Sequence, residues 1–125
     1  MKENDITEIV INKAMKIHSA LGPGLLENAY KKCLGYELEK SGLSILLEKS
    51  LPLTYEKVHL DSGYRVDLMI ENKVIVELKA VEELNDVHLA QLLTYLKLTK
   101  CKVGLLINFN VHKLKYGLKR VVNRF

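Results

Sequence analysis

Residues 66–80, VDLMIENKVIVELKA, constrain the fold of this chain more tightly than any other stretch. Two apolar runs flank a short polar centre. A three-residue loop of Glu71, Asn72 and Lys73 makes a hairpin of common length, with asparagine tolerating the turn conformation. That loop pairs Ile70 with Val74 and, counting back, sets Asp67 opposite Glu77 and Arg65 opposite Lys79. Alternation along a strand then gathers Val66, Leu68, Ile70, Val74, Val76 and Leu78 on one face. Arg65, Asp67, Glu77 and Lys79 share the other, together with Met69 and Ile75 nearer the turn. Two carboxylates facing each other at about 5 Å between Cβ atoms repel unless a cation sits between them. A divalent metal is one such cation. A solvated network with Arg65 and Lys79 is the simpler alternative, but Met69 and Ile75 imply that something covers this face, and covered charges need partners.

The remaining elements follow from periodicity and punctuation. Asp5 and Glu8 stand as a variant capping box, followed by Ile6, Ile9, Val10, Ala14, Ile17 and Leu21 at helical spacing. LGPG at 21–24 ends that helix. A second helix is expected from about Leu25 to Lys40, with Leu26, Ala29, Cys33 and Leu34 turned inward. Strands are expected at ILLEK, at LPLTYEKVHL with Pro52 near a strand start or edge, and in the hairpin. Asn85 is a candidate N-cap for a third helix through DVHLAQLLTYLKLTK. VGLLIN at 103–108 reads as a strand buried on both faces, and LKYGLKRVV as an edge strand or short helix. The order α, α, β-meander, α, β predicts one mixed sheet flanked by helices.

With 125 residues, 48% hydrophobic and 27% charged, the chain suits one soluble domain over residues 1–125. No apolar run approaches the ~20 residues that span a bilayer, and MKENDITEIV has no signal-peptide core; a cytoplasmic location is the expectation. Cys33 and Cys101 lack metal-type spacing, and each is expected to be a small buried side chain, with no disulfide between them. The net charge of +4 is unevenly spread: residues 87–125 hold eight basic groups and no acid. Such a block suits a polyanion-facing surface, though lysine-rich faces also serve solubility. Histidines 18, 59, 88 and 112 have no zinc spacing, and no phosphate-loop, dinucleotide or nucleophile-elbow motif is present.

Further polar residues point to the hairpin. Gln91 and Tyr95, four apart, share one side of the third helix. Glu27 and Tyr30, three apart, share a stripe of the second. Each pair has an innocent reading as a helix flank or core rim, but together they form an ordered set: Gly24-x-x-Glu27-x-x-Tyr30, Asp67, Glu77-x-Lys79, Gln91-x-x-x-Tyr95. In this set, from about Ile6 to Asn110, the chain resembles the GxxExxY protein family, a small-domain branch of the PD-(D/E)xK nuclease-like superfamily. Val66 stands where a proline would precede Asp67.

The resemblance implies an α/β fold with a mixed sheet, a restriction-endonuclease-like αβββαβ core carrying an extra N-terminal helix. It also implies that Asp67, Glu77, the Leu78 backbone carbonyl and Glu27 hold Mg²⁺ or Mn²⁺. Hard oxygen ligands suit such ions. Lys79 would orient or help deprotonate the attacking water, Gln91 and Tyr95 would position nucleic-acid backbone or support the site, and Tyr30 would pack or hydrogen-bond Glu27. The leading expectation is a metal-dependent nuclease acting on phosphodiester bonds of DNA or another nucleic acid, working as a homodimer because small nucleases often need two sites to cut both strands. The alternatives are a catalytically inactive nuclease-fold module that binds nucleic acid or protein, and a purely structural charge network.

Overall fold

Ile70 faces Val74 across a tight turn, Met69 faces Ile75 and Leu68 faces Val76 in the computed structural model, which describes residues 1–124. Phe125, the last residue of the expected domain, lies outside the described residues. The turn needs left-handed backbone at both Glu71 and Asn72, each at φ 53°. Asparagine adopts it readily, whereas glutamate carries a steric cost. Glu71 is held there by Ser44: its N–H donates to the Ser44 carbonyl at 2.8 Å, and its carboxylate accepts the Ser44 N–H at 3.0 Å.

The two hairpin strands, β2 (Val58–Ile70) and β3 (Val74–Lys79), belong to a five-stranded sheet with β1 (Ile45–Tyr55), β4 (Val103–Asn108) and β5 (Leu118–Val122), in the order β1-β2-β3-β4-β5. Among the described residues only β3 and β4 run parallel. A parallel pair needs a crossover, which α3 (Asp86–Thr99) provides. With α2 (Glu27–Lys40) before the three-strand meander, the chain has an αβββαβ core; α1 (Glu3–Leu21) precedes it, and β5, reached through a short 3-10 helix at Leu114–Gly117, adds an edge.

Two apolar layers sandwich the sheet. On one face Ile6, Val10, Ala14 and Ile17 of α1 and Tyr30, Leu34 and Leu38 of α2 pack against Leu68, Ile70, Val74, Val76 and Leu78. On the other, Leu92, Tyr95 and Leu96 of α3 cover Met69, Ile75 and Leu106. This is the cover that Met69 and Ile75 required. β4 is buried along its length, as its continuous apolar run predicts, and Gly104 lets α3 approach, since a Cβ there would sit 2.9 Å from Leu92 Cδ1.

Local expectations shift in four places. α1 begins at Glu3, so Asp5 lies within it and accepts the Lys2 N–H at 3.2 Å instead of acting as the N-cap. Leu21 and Leu26 are exposed at the helix ends, and Tyr30, Leu34 and Leu38 form the inward stripe of α2. β1 runs unbroken through Pro52, because an edge strand has a side with no ladder bond for proline to forfeit; the register slips between Leu51 and Leu53, and the turn comes at Glu56 and Lys57. Finally, Val66 packs with the α3 layer and not with Leu68 and Ile70. The alternation breaks at Asp67, opposite Glu48, whose φ of 52° distorts the neighbouring strand.

Candidate functional site

Main-chain pairing between β2 and β3 stops at Leu68 and Val76. β3 continues instead along β4, as far as Lys79 opposite Asn108, and the hairpin strands part. Orphaned N–H groups at such a fork must find acceptors. The Asp67 N–H donates to Glu77 Oε2 at 2.6 Å, and the Leu78 N–H donates to Asp67 Oδ2 at 2.8 Å. The two acids therefore meet where the hairpin register puts them, each satisfying the other strand. Arg65 does not face Lys79; the ladder has ended, and Arg65 pairs with Ser50 on β1.

The Leu78 N–H points toward β2, while the Lys79 carbonyl accepts the Phe109 N–H at 2.9 Å on the β4 side. Because a strand residue directs its N–H and C=O to the same edge, the Leu78 carbonyl lies on the open side of the fork, beside both acids.

Glu77 is buried, and its carboxyl is pushed up to about 8, first by desolvation and then by the charge of Asp67. Glu27, in the first turn of α2, is raised by the same two causes in the same order, while Lys79 and Lys31 pull it down. Three acids thus share one field with Lys79 on its border. Tyr95 on α3 is raised by burial and then by the charges of Glu77 and Asp67. Gln91 and Tyr95 line, with Asp67, Tyr64, Arg65 and Lys31, a cleft of about 410 Å³ that opens from the fork.

Lys31 did not figure in the sequence reading. Its ammonium bridges Asp67 Oδ1 at 3.2 Å and Glu48 Oε1 at 3.1 Å, and Arg65 approaches Glu48 Oε2 at 3.7 Å. Burial alone would lower the Lys31 pKa, but the hydrogen bond to Glu48 and the charge of Asp67 leave it raised. Its signal was Glu27, four residues earlier on the same helix face. Asn108 also went unread: its side chain accepts the Val81 N–H at 3.1 Å and donates to the Val81 carbonyl at 2.9 Å. It thereby ties the segment after Lys79 to the end of β4.

Other expected participants sit elsewhere. Tyr30 does not bond Glu27; its hydroxyl donates to the Gly22 carbonyl at 2.6 Å and accepts the Leu25 N–H at 3.1 Å, and its ring stacks on Phe109 at 4.4 Å. It fixes the turn that delivers α2. His88, which the sequence does not place among the site residues, caps α3 through a reciprocal pair with Asn85. The basic final third does not form one face: Lys97, Lys100 and Lys102 lie before the start of β4, whereas Lys113 and Lys115 follow its end, the end nearer Glu77 and Lys79.

Among the described residues no group of three His, Cys, Asp or Glu side chains is arranged to hold a metal ion. Asp67, Glu77 and the Leu78 carbonyl nonetheless make an all-oxygen donor set of two carboxylates and a carbonyl. That fits a hard cation that binds through one or two carboxylates and keeps its waters. The carboxyls of Glu77 and Glu27 are raised first by burial and then by the charge of Asp67, and a cation between the acids would favour their ionised forms against both causes. No helix among the described residues is long and apolar enough to cross a membrane. A family model described as the PD-(D/E)XK nuclease superfamily matches residues 4–121. No curated protein and no solved structure matches the chain.

Proposed function

The chain belongs to the PD-(D/E)XK nuclease superfamily, and from that premise we propose that it is a metal-dependent nuclease that hydrolyses phosphodiester bonds of DNA at the β2–β3 fork. The supporting observation is the convergence of Asp67, Glu77 and Glu27 beside Lys79, at a point where two strands separate and a cleft begins. The ordered motif from Gly24 to Tyr95 supports the narrower GxxExxY assignment.

Asp67, Glu77 and the Leu78 carbonyl would hold Mg²⁺ or Mn²⁺, with Glu27 reaching from α2. Such an ion supplies an acidified water and charge neutralisation at phosphate. Lys79 donates hydrogen bonds to the attacking water and to the phosphate oxygens as negative charge builds on them. Gln91 hydrogen-bonds the nucleic-acid backbone within the cleft, and Tyr95 walls it. Tyr30 acts at one remove, holding the turn from which Glu27 projects.

Purified protein with Mg²⁺ or Mn²⁺ is expected to cut plasmid or single-stranded DNA. Asp67→Asn and Lys79→Ala should each lose about 10²-fold or more, the usual scale for removing one electrostatic contributor. Cutting that survives both substitutions sinks these roles. A homodimer acting in the cytoplasm completes the reading, and light scattering on the eluting protein tests the dimer.

A second reading, a non-catalytic module on the same fold, draws on one observation: Asp67 already has a partner on each oxygen, Lys31 and the Leu78 N–H. Calorimetry separates the two readings, since the module would bind DNA or protein while taking up no Mn²⁺.

A further inference from the structure

We propose that Lys31 is the resident counter-ion of Asp67, displaced into the cleft when a divalent cation takes that carboxylate. The inference rests on the metal-site reading above and concerns a residue to which that reading gives no part.

An ammonium whose side chain is only 11% exposed requires anionic partners. Lys31 has two, drawn from different strands: Asp67 on β2 and Glu48 on β1. The pair with Asp67 neutralises an acid that stands against buried Glu77 and against Glu27. It also occupies Oδ1, while the Leu78 N–H occupies Oδ2. A divalent cation at Asp67 would share that carboxylate with the ammonium, and two like charges so close in a half-buried site repel strongly. One of them must move, and Lys31 has somewhere to go.

Glu48 provides the destination. It holds the ammonium at 3.1 Å independently of Asp67 and is approached on its other oxygen by Arg65. Its backbone is in the left-handed region at φ 52°, within a strand. Non-glycine residues are kept in that region only where the surroundings enforce it, and here the distortion accompanies a carboxylate that reaches across to α2. Released from Asp67, Lys31 remains tethered at the mouth of the cleft beside Arg65, where the pair presents two cations to a phosphodiester. Lys31 is in this sense a positioning residue: it keeps Asp67 neutralised before the metal arrives and joins the phosphate grip afterwards.

Mn²⁺ titrations by calorimetry, without nucleic acid, test the idea. Lys31→Met removes the competitor, and Mn²⁺ affinity is expected to rise about tenfold, equivalent to 1.4 kcal/mol. Unchanged or weaker binding overturns the proposal, because a merely structural lysine would not restrain the ion. Should Lys31→Met fail to fold, Lys31→Gln serves in its place, and the side-chain carbon signals of Lys31 in the wild-type protein must shift on Mg²⁺ addition. Signals that stay fixed at saturating Mg²⁺ overturn it equally. The premise fails separately: wild-type protein that takes up no Mn²⁺ refutes the metal site itself, whereas uptake that Lys31→Met leaves unaltered refutes only the displacement.

Discussion

Glu77 Oε2 accepts the main-chain N–H of Asp67 at 2.6 Å, while Asp67 Oδ2 accepts the N–H of the residue after Glu77 at 2.8 Å. Two acids that face each other across a hairpin also terminate its ladder. Both structure and chemistry at the fork depend on the same four oxygens, and substitutions there separate the two contributions.

Asp67→Ala removes the acceptor of the Leu78 N–H and one partner of Lys31. Leaving such groups unpaired is expected to cost about 1–3 kcal/mol of stability in metal-free buffer. Asp67→Asn keeps a carbonyl oxygen for Leu78 and should lose clearly less. Urea unfolding of both variants makes the comparison, and equal losses would contradict the bonding at the fork.

The pH dependence of the metal-free protein should carry the signature of Glu77. Its carboxyl is raised from 4.5 to about 8 on folding, so the folded state favours the protonated form. The stability this group contributes is therefore complete below pH 4.5 and is lost as pH rises toward about 8. Melting temperatures across this window should fall for the wild type and fall less for Glu77→Gln. Mg²⁺, which binds the ionised acid, should raise the melting temperature more at the alkaline end than at the acidic end.

Tyr30→Phe keeps the ring that stacks on Phe109 at 4.4 Å but loses the hydroxyl bonded to Gly22 and Leu25. A loss of about 1–2 kcal/mol is expected from the unpaired backbone groups. Denaturant midpoints provide the measurement, and an unchanged midpoint would show that the turn before α2 holds without this tyrosine.

Two glycines should respond differently to alanine. At Gly117 a Cβ would lie 2.1 Å from the Asn108 carbonyl oxygen, a backbone atom that cannot step aside. At Gly104 the nearest atom is Leu92 Cδ1 at 2.9 Å, the end of a side chain that can rotate. Gly117→Ala is expected to cost about 3 kcal/mol or more and Gly104→Ala about 1–2 kcal/mol, the two ends of the overpacking range. Thermal melts ranked in the opposite order would contradict the packing at the end of β4.

Much of this was legible in the sequence, for physical reasons. The register of residues 68–76 follows from alternation and loop length, and it brings Asp67 to Glu77 at its end without any knowledge of the rest of the chain. Gln91 and Tyr95 follow from helical spacing, and β4 from its unbroken apolar run. What escaped depends on contacts remote in sequence. Where the β2–β3 ladder ends is decided by β3 choosing β4, and the face taken by Val66 by a distortion at Glu48 on the neighbouring strand. The partners of Lys31 come from β1 and β2, so spacing along α2 could mark the residue but not its task. The basic final third looked continuous in sequence, yet Lys97, Lys100 and Lys102 precede β4, Lys113 and Lys115 follow its end, and Lys119 and Arg120 lie beside its middle.

A hairpin closed by its own acids has a corollary for descent. A lineage that abandoned hydrolysis would still need acceptors for the amides of Asp67 and Leu78, so selection for folding alone would preserve an acid or its amide at both positions long after turnover had ceased. Finding such acceptors in a related chain would then say little about whether that chain still cuts. Lys79, whose side chain makes neither of the bonds that close the fork, would be freer to drift.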